Sequence, residues 1–152
     1  MKIAIASDHA AVDERLAVAE HMRAAGHEVV DFGCDAGESV DYPDYGAKVG
    51  GAVSSGEVER GMLICGTGIG ICMAAGKFEG VRAATVHDDF TAAMCREHND
   101  ANVMCMGARV IPLSTMIRLV DLYLTTAFGG GRHAGRVAKI DALDSNGASV
   151  GA

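Results

Sequence analysis

Apolar residues along this chain gather into short runs, and between the runs they recur every three or four positions. Runs near Lys2–Ala6, Glu28–Phe32, Gly61–Cys65, Val81–Val86 and Val103–Met106 have the length and the apolar, β-branched content of strands buried on both faces. Val12, Leu16, Ala19 and Met22 then share one face of a first helix, which Gly26 stops. Pro43 opens a second helix with Tyr45, Val49, Ala52 and Val53 on its apolar side, ended by Gly56. Asp88 or Asp89 caps a helix over Phe90–Glu97, and Ser114 caps a long apolar helix reaching about Phe128 before Gly129-Gly130-Gly131 breaks it. A last helix is expected from Arg136 to Leu143. Strands alternating with helices predict an α/β protein: one three-layer domain over 1–144, with a five-stranded parallel sheet and helices on both faces. Ser145–Ala152, small, polar and glycine-containing, reads as a flexible tail.

Composition narrows the class. With 152 residues, 49% hydrophobic and 22% charged, the chain has the size and balance of one globular core. No apolar stretch approaches the roughly 18 residues of a membrane span. Met1–Ala6 runs directly into Ser7-Asp8-His9 without the pattern of a cleavable leader, and the five cysteines lack C-x-x-C spacing. A reducing cytoplasmic location is the expectation. A net charge of −7 without a Lys/Arg run argues against nucleic acid, so any anion must be held locally. The compact cationic group is Arg132, His133 and Arg136, which reads equally as a phosphate grip or as a solvated helix start.

The chemistry concentrates at Cys65-Gly66-Thr67-Gly68-Ile69-Gly70, a buried strand running into a glycine turn that opens a helix. Amides at such a turn converge on one point and favour negative charge there, whether of a phosphate or of an enediolate oxygen. A thiol in that position has its thiolate stabilised and can act as a base, whereas cysteine in general is more often a small buried hydrophobe. Thr67 is near enough to hydrogen-bond the sulfur or a substrate oxygen. Gly66-x-Gly68 with Asp88 imitates a dinucleotide fingerprint, but the third glycine, Gly70, falls one place early, the motif lies on the third strand, and no second domain remains; Gly76-Lys77 is followed by Phe78, so it is no P-loop.

Ligands of open parallel sheets bind at the carboxyl ends of the strands, so Asp8-His9 after the first strand and Cys65 after the third belong to one crevice. Asp8 is suited to sugar hydroxyls and His9 to a phosphate, with an Asx turn as the plainer alternative for the pair. A helix of about ten residues starting after the fourth strand carries His98-Asn99-Asp100 on the order of 15 Å back, to the opposite edge. Arg132 and Arg136 follow the long helix to that edge as well. Either these residues are structural or a second subunit carries them into the site, and a two-fold dimer with reciprocal sites is the expectation.

Asp8-His9, Asp41-Tyr42-Pro43, the 65–70 turn, His98-Asn99-Asp100-x-Asn102, Gly107-x-Arg109 and Gly130-Gly131-Arg132-His133-x-x-Arg136-Val137 together resemble ribose-5-phosphate isomerase type B over almost the whole chain. The resemblance implies a Rossmann-like, metal-independent isomerase, a dimer or dimer of dimers with shared sites and no cofactor, that interconverts ribose and ribulose 5-phosphates. It further implies that Cys65 takes the C2 proton, Thr67 assists, and the amides of Gly66, Gly68, Ile69 and Gly70 stabilise the enediolate. By the same resemblance His98 opens the sugar ring, Asp8, Tyr42 and Asn99 bind the sugar, and His9, Arg109, Arg132 and Arg136 bind the phosphate. Relatives act on five-, six- and four-carbon sugar phosphates. Ala11-Val12-Asp13-Glu14-Arg15 departs from the usual loop after the histidine and looks like the galactose-6-phosphate isomerase B subunit. A binding module without catalysis would need the glycines and arginines but not the thiol. A metal-dependent hydride shift would need a ligand cluster with suitable spacing, and the sequence offers nothing beyond Asp8-His9 and His87-Asp88.

Overall fold

A computed structural model of the chain, describing residues 1–145, has five strands: β1 (Lys2–Ser7), β2 (Glu28–Asp31), β3 (Arg60–Cys65), β4 (Ala83–Thr85) and β5 (Val103–Gly107). They form one all-parallel sheet in the order β2-β1-β3-β5-β4. Six helices cover it: α1 (Val12–Ala24), α2 (Tyr42–Ser54), α3 (Ile69–Ala75), α4 (Asp89–Glu97), α5 (Leu113–Thr125) and α6 (Ala134–Ser145). Among the described residues no helix is long and apolar enough to cross a membrane. The predicted tail lies, from residue 146 on, outside the described residues.

Alternate residues of the central strands feed two separate cores, as the period of two requires. Ile3, Ile5, Met62, Ile64, Met104 and Met106 pack with α1, α4 and α5 on one face. Ala4, Ala6, Leu63, Cys65, Val103 and Cys105 pack with α2 and α3 on the other. Gly61 belongs to that second layer, where a Cβ would stand 3.1 Å from Val103 and closer still to Val49. The result is the predicted three-layer α/β architecture.

One core position and several element ends differ from expectation, β4 among them, which spans Ala83–Thr85 within the predicted Val81–Val86. In α1 the buried positions are Val12, Arg15, Val18, Ala19 and Met22, while Leu16 is half exposed. Arg15 takes the core position because its guanidinium pairs with Asp31 and donates to the Cys34 carbonyl at 2.8 Å. A buried charge persists where it is paired and hydrogen-bonded. In α5 it is Pro112, extended at ψ 158°, that occupies the cap position, and Ser114 lies within the helix. That helix ends at Thr125 because Thr125 and Thr126 turn their hydroxyls back onto the carbonyls of Asp121 and Leu122, at 2.7 and 2.6 Å. The last helix starts two residues earlier than predicted, after a single 3-10 turn at Gly131–His133.

Candidate functional site

After β1 the chain crosses to β2 on one side, and β3 returns on the other, so the carboxyl ends of β1 and β3 flank a topological switch point. A cleft of about 590 Å³ opens there, lined by Asp8, His9, Ala10, Tyr42, Cys65, Gly66, Thr67, Ile69, Gly70, Met73 and Arg109. Nine of these are residues singled out from the sequence; Ala10 and Met73 carried no motif that would have marked them.

Cys65 is the last residue of β3 and is 5% exposed, so it is at once a packed core residue and part of the cleft wall. The turn after it is fixed by two glycines. Gly68 has φ +78°, and a Cβ there would stand 2.8 Å from the Met106 carbonyl carbon. Gly107, paired with Cys65 across the sheet, leaves room for the Thr67 backbone, which a Cβ would approach to 2.7 Å. This close approach aims the Gly68 N–H at the Cys65 sulfur, 3.1 Å away. The Ile69 N–H is taken by the Thr67 hydroxyl oxygen at 3.3 Å. Among the described residues, the amides of Gly66, Thr67 and Gly70 have no acceptor within the chain. The turn therefore divides its donors between the thiol and the space in front of it. The expected helix contributes little dipole, since α3 has seven residues; individual N–H groups supply the polarity.

The other cleft residues are held from neighbouring elements. Asp8 is buried and accepts from the Ala10 N–H at 3.0 Å, an Asx-type cap that also keeps its carboxylate at the wall. His9 sets its Nδ1 against the Val40 backbone, 3.1 Å from the oxygen and 3.2 Å from the nitrogen, which leaves Nε2 for a ligand. Tyr42 lies over Gly70, where a Cβ would meet its ring at 2.6 Å. Arg109 donates its backbone N–H to the Gly66 carbonyl at 3.0 Å and brings its guanidinium beside the turn. Below the turn, Cys72 has its thiol held down to about 6 by a hydrogen bond from Cys105, against the opposing effect of burial.

His98, Asn99, Arg132 and Arg136 are not in this cleft. His98 terminates α4 five residues before β5 begins, at the sheet edge opposite Gly107 and Cys65. Five residues of strand separate the two edges by about 16 Å. At that edge the His98 and His133 rings stack, centroids 4.3 Å apart and 9° from parallel. The His133 imidazole is held below its ordinary range by partial burial, then by His98 and the two arginines. The half-buried histidines and the exposed Arg132 and Arg136 form a second polar cluster at that edge, while the exposed Asn99 lines a separate hollow of about 320 Å³ with Arg82 and Ile140. Among the described residues, no group of three or more His, Cys, Asp or Glu side chains is placed to hold a metal ion.

Comparison with known proteins places these features in context. The model of the Ribose/Galactose Isomerase family matches residues 3–140. The chain is 51% identical over 141 residues to a putative sugar phosphate isomerase of Bacillus subtilis, YwlF, covering 92% of this chain and 95% of that protein. It is 42% identical over 143 residues to ribose-5-phosphate isomerase B of Escherichia coli, covering 94% and 96%. The structure of Clostridium thermocellum ribose-5-phosphate isomerase B superposes with a TM-score of 0.94 at 49% identity, over 96% of this chain and 99% of that one.

Proposed function

The chain belongs to the ribose/galactose isomerase family as a sugar-phosphate isomerase of the ribose-5-phosphate isomerase B type, and from that premise we propose that it interconverts ribose 5-phosphate and ribulose 5-phosphate by metal-independent proton transfer at Cys65. Membership decides for an enzyme over a binding module. The observation that carries the mechanism is the buried Cys65 sulfur in the cleft wall with the Gly68 N–H donating to it at 3.1 Å. An amide aimed at sulfur is the partner a thiolate takes, and the unused amides beside it face the need of an enediolate.

In the forward direction the Cys65 thiolate takes the proton from C2 of the open-chain aldose. The C2–H electron pair becomes the C1–C2 double bond, and the carbonyl electrons move onto O1, where the Gly66, Thr67 and Gly70 amides stabilise the charge. The Gly68 amide is spent on the sulfur and takes no part in this step. The thiol exchanges its proton with solvent while the enediolate persists and then delivers a proton to C1, while the Thr67 hydroxyl relays the O2 proton to O1, which leaves a ketone at C2. Asp8 and Tyr42 hold sugar oxygens, and His9 Nε2 and Arg109 meet the phosphate from this side.

His98, which opens the ring, and Asn99, Arg132 and Arg136 complete the site from the partner subunit, because within one chain they stand at the far edge of the sheet. Mixing Cys65→Ala and His98→Ala chains should restore part of the lost turnover through hybrid sites. Confirmed subunit exchange without recovery would leave the shared site unsupported.

The substrate is tested by incubation with four-, five- and six-carbon aldose phosphates in deuterated water. Label should enter C2 of ribose 5-phosphate and C1 of ribulose 5-phosphate fastest. Faster labelling of a tetrose or hexose phosphate would replace the proposed sugar, and product formed with its original hydrogen would count against the enediolate.

A further inference from the structure

Arg82 stands at the start of β4, outside every motif discussed above, yet each of its polar groups is engaged. Its Nη2 donates to Asp100 Oδ2 at 2.9 Å and its Nε to the Asp100 carbonyl at 3.0 Å. Its Nη1 donates to Asp141 Oδ1 at 3.0 Å. Its backbone N–H donates to Asn102 Oδ1 at 2.8 Å, and its carbonyl accepts from the Asn102 N–H at 3.1 Å.

The two carboxylates belong to different halves of the amino-edge cluster. Asp100 follows His98 and Asn99 directly and is the non-glycine residue at positive φ, +46°, among the described residues. Aspartate tolerates that region better than most side chains, but the conformation persists where surroundings enforce it. Here the enforcement is a second cation: Arg96 Nη1, 5% exposed as a residue and bonded to the Ala101 carbonyl at 2.7 Å, meets Asp100 Oδ1 at 2.7 Å. Asp141 lies on α6, the helix that begins just after Arg132-His133 and carries Arg136. A further tie, from the Gly80 N–H to Asp144 Oδ2 at 2.8 Å, holds the same helix against the same segment.

We infer that Arg82 is a positioning residue that fixes the turn carrying His98 and Asn99 relative to the helix carrying Arg136, and so sets the span between ring opening and phosphate binding. This rests on the proposed function, in which those residues act on one sugar. A guanidinium suits the task because its planar fork holds two carboxylates at a set angle, which a lysine ammonium cannot do.

The two arms separate in experiment because ribulose 5-phosphate is acyclic: with O5 phosphorylated, its ketone has no hydroxyl placed to close a five-membered ring. Exchange of deuterium into its C1 needs the thiol and the phosphate grip but no ring opening. Asp100→Asn keeps the side-chain shape and tolerance of positive φ while removing the charge that both arginines hold. It should lower turnover of ribose 5-phosphate about tenfold and leave C1 exchange at saturating ribulose 5-phosphate within about twofold of wild type. Asp141→Asn should raise KM for both sugars, and weaken inhibition by inorganic phosphate, about threefold at unchanged kcat. Arg82→Lys should show both defects.

Equal loss of every activity in the two aspartate variants, or Arg82→Lys kinetics like those of wild type, would overturn the inference. Should Arg82→Lys fail to fold by circular dichroism, the aspartate variants decide alone. Wild-type chain that labels neither sugar would instead overturn the proposed reaction, and the inference with it; wild-type turnover with unresponsive aspartate variants overturns the inference by itself.

Discussion

The two polar clusters of this chain are built on opposite principles. At the carboxyl edge, Cys65 is set by backbone: Gly68 at φ +78°, Gly107 against Thr67, and an amide 3.1 Å from sulfur. At the amino edge, His98 and its neighbours are set by side-chain charge, with Arg82 and Arg96 on Asp100, Arg82 on Asp141 and a histidine stack. The first is stiff because removing a glycine's freedom admits no small adjustment. The second depends on partly exposed ion pairs, whose individual worth is modest and screened by salt. The difference suits the tasks proposed for each: a proton transferred between adjacent carbons needs its base placed to a fraction of an ångström, whereas a phosphate grip tolerates more play.

The sharpest way to break this contrast is at the thiol. Cys65→Ala should lower kcat for isomerisation by at least about 10³-fold while ribulose 5-phosphate binding, measured by calorimetry, stays near wild type. Equal loss of binding and turnover would mean that the thiol builds the cleft rather than performing the chemistry. Next in size, Gly68→Ala must put a Cβ into the left-handed region and 2.8 Å from the Met106 carbonyl carbon. It should cost about 2 kcal/mol of unfolding free energy or more, read from urea curves, with a large fall in turnover. An alanine variant as stable as wild type would refute the backbone-set description of this edge.

At the amino edge the expected effects are smaller. Tyr123 is buried under Arg60 and Arg96, and its hydroxyl donates to the Ala101 carbonyl at 3.0 Å. Tyr123→Phe should cost about 1 kcal/mol of stability, because that carbonyl keeps its Arg96 donor. The smallest effect concerns His133. Its imidazole is held below the ordinary value, so just below that value the folded chain binds fewer protons than the unfolded one. The contribution is therefore present at neutral pH and lost as pH falls. The urea midpoint of His133→Gln should decline less between pH 7 and pH 5 than that of wild type, and identical slopes would remove His133 from the account.

Much of this was legible in the sequence, for reasons that particular residues show. The Cys65 turn could be placed because a buried strand, three glycines and a small hydroxyl residue follow one another with fixed spacing. The separation of His98 from Cys65 followed from strand and helix rise alone. Leu16 and Arg15 were not legible: helical periodicity offered Leu16 to the core, and Arg15 displaced it because Asp31, on the neighbouring strand, supplies its counter-charge. Ser114 had the chemistry of a cap, but Pro112 set the start by its extended backbone.

By itself, then, the sequence determined the α/β class, the five parallel strands and which residues flank each strand end, because hydrophobic period and turn chemistry act over a few neighbouring residues. Tertiary structure decided which amides serve the thiol, that Arg109 joins the Cys65 cleft, and that Arg82 ties Asp100 to Asp141. The Arg82 ties bring together residues 18 and 59 positions apart, and the Gly68 amide, three positions from Cys65, is aimed by Gly107 of another strand, so their directions are set by how whole elements pack. No local pattern encodes them, since each arginine has many acidic residues within its reach along the sequence and only the fold selects its partner.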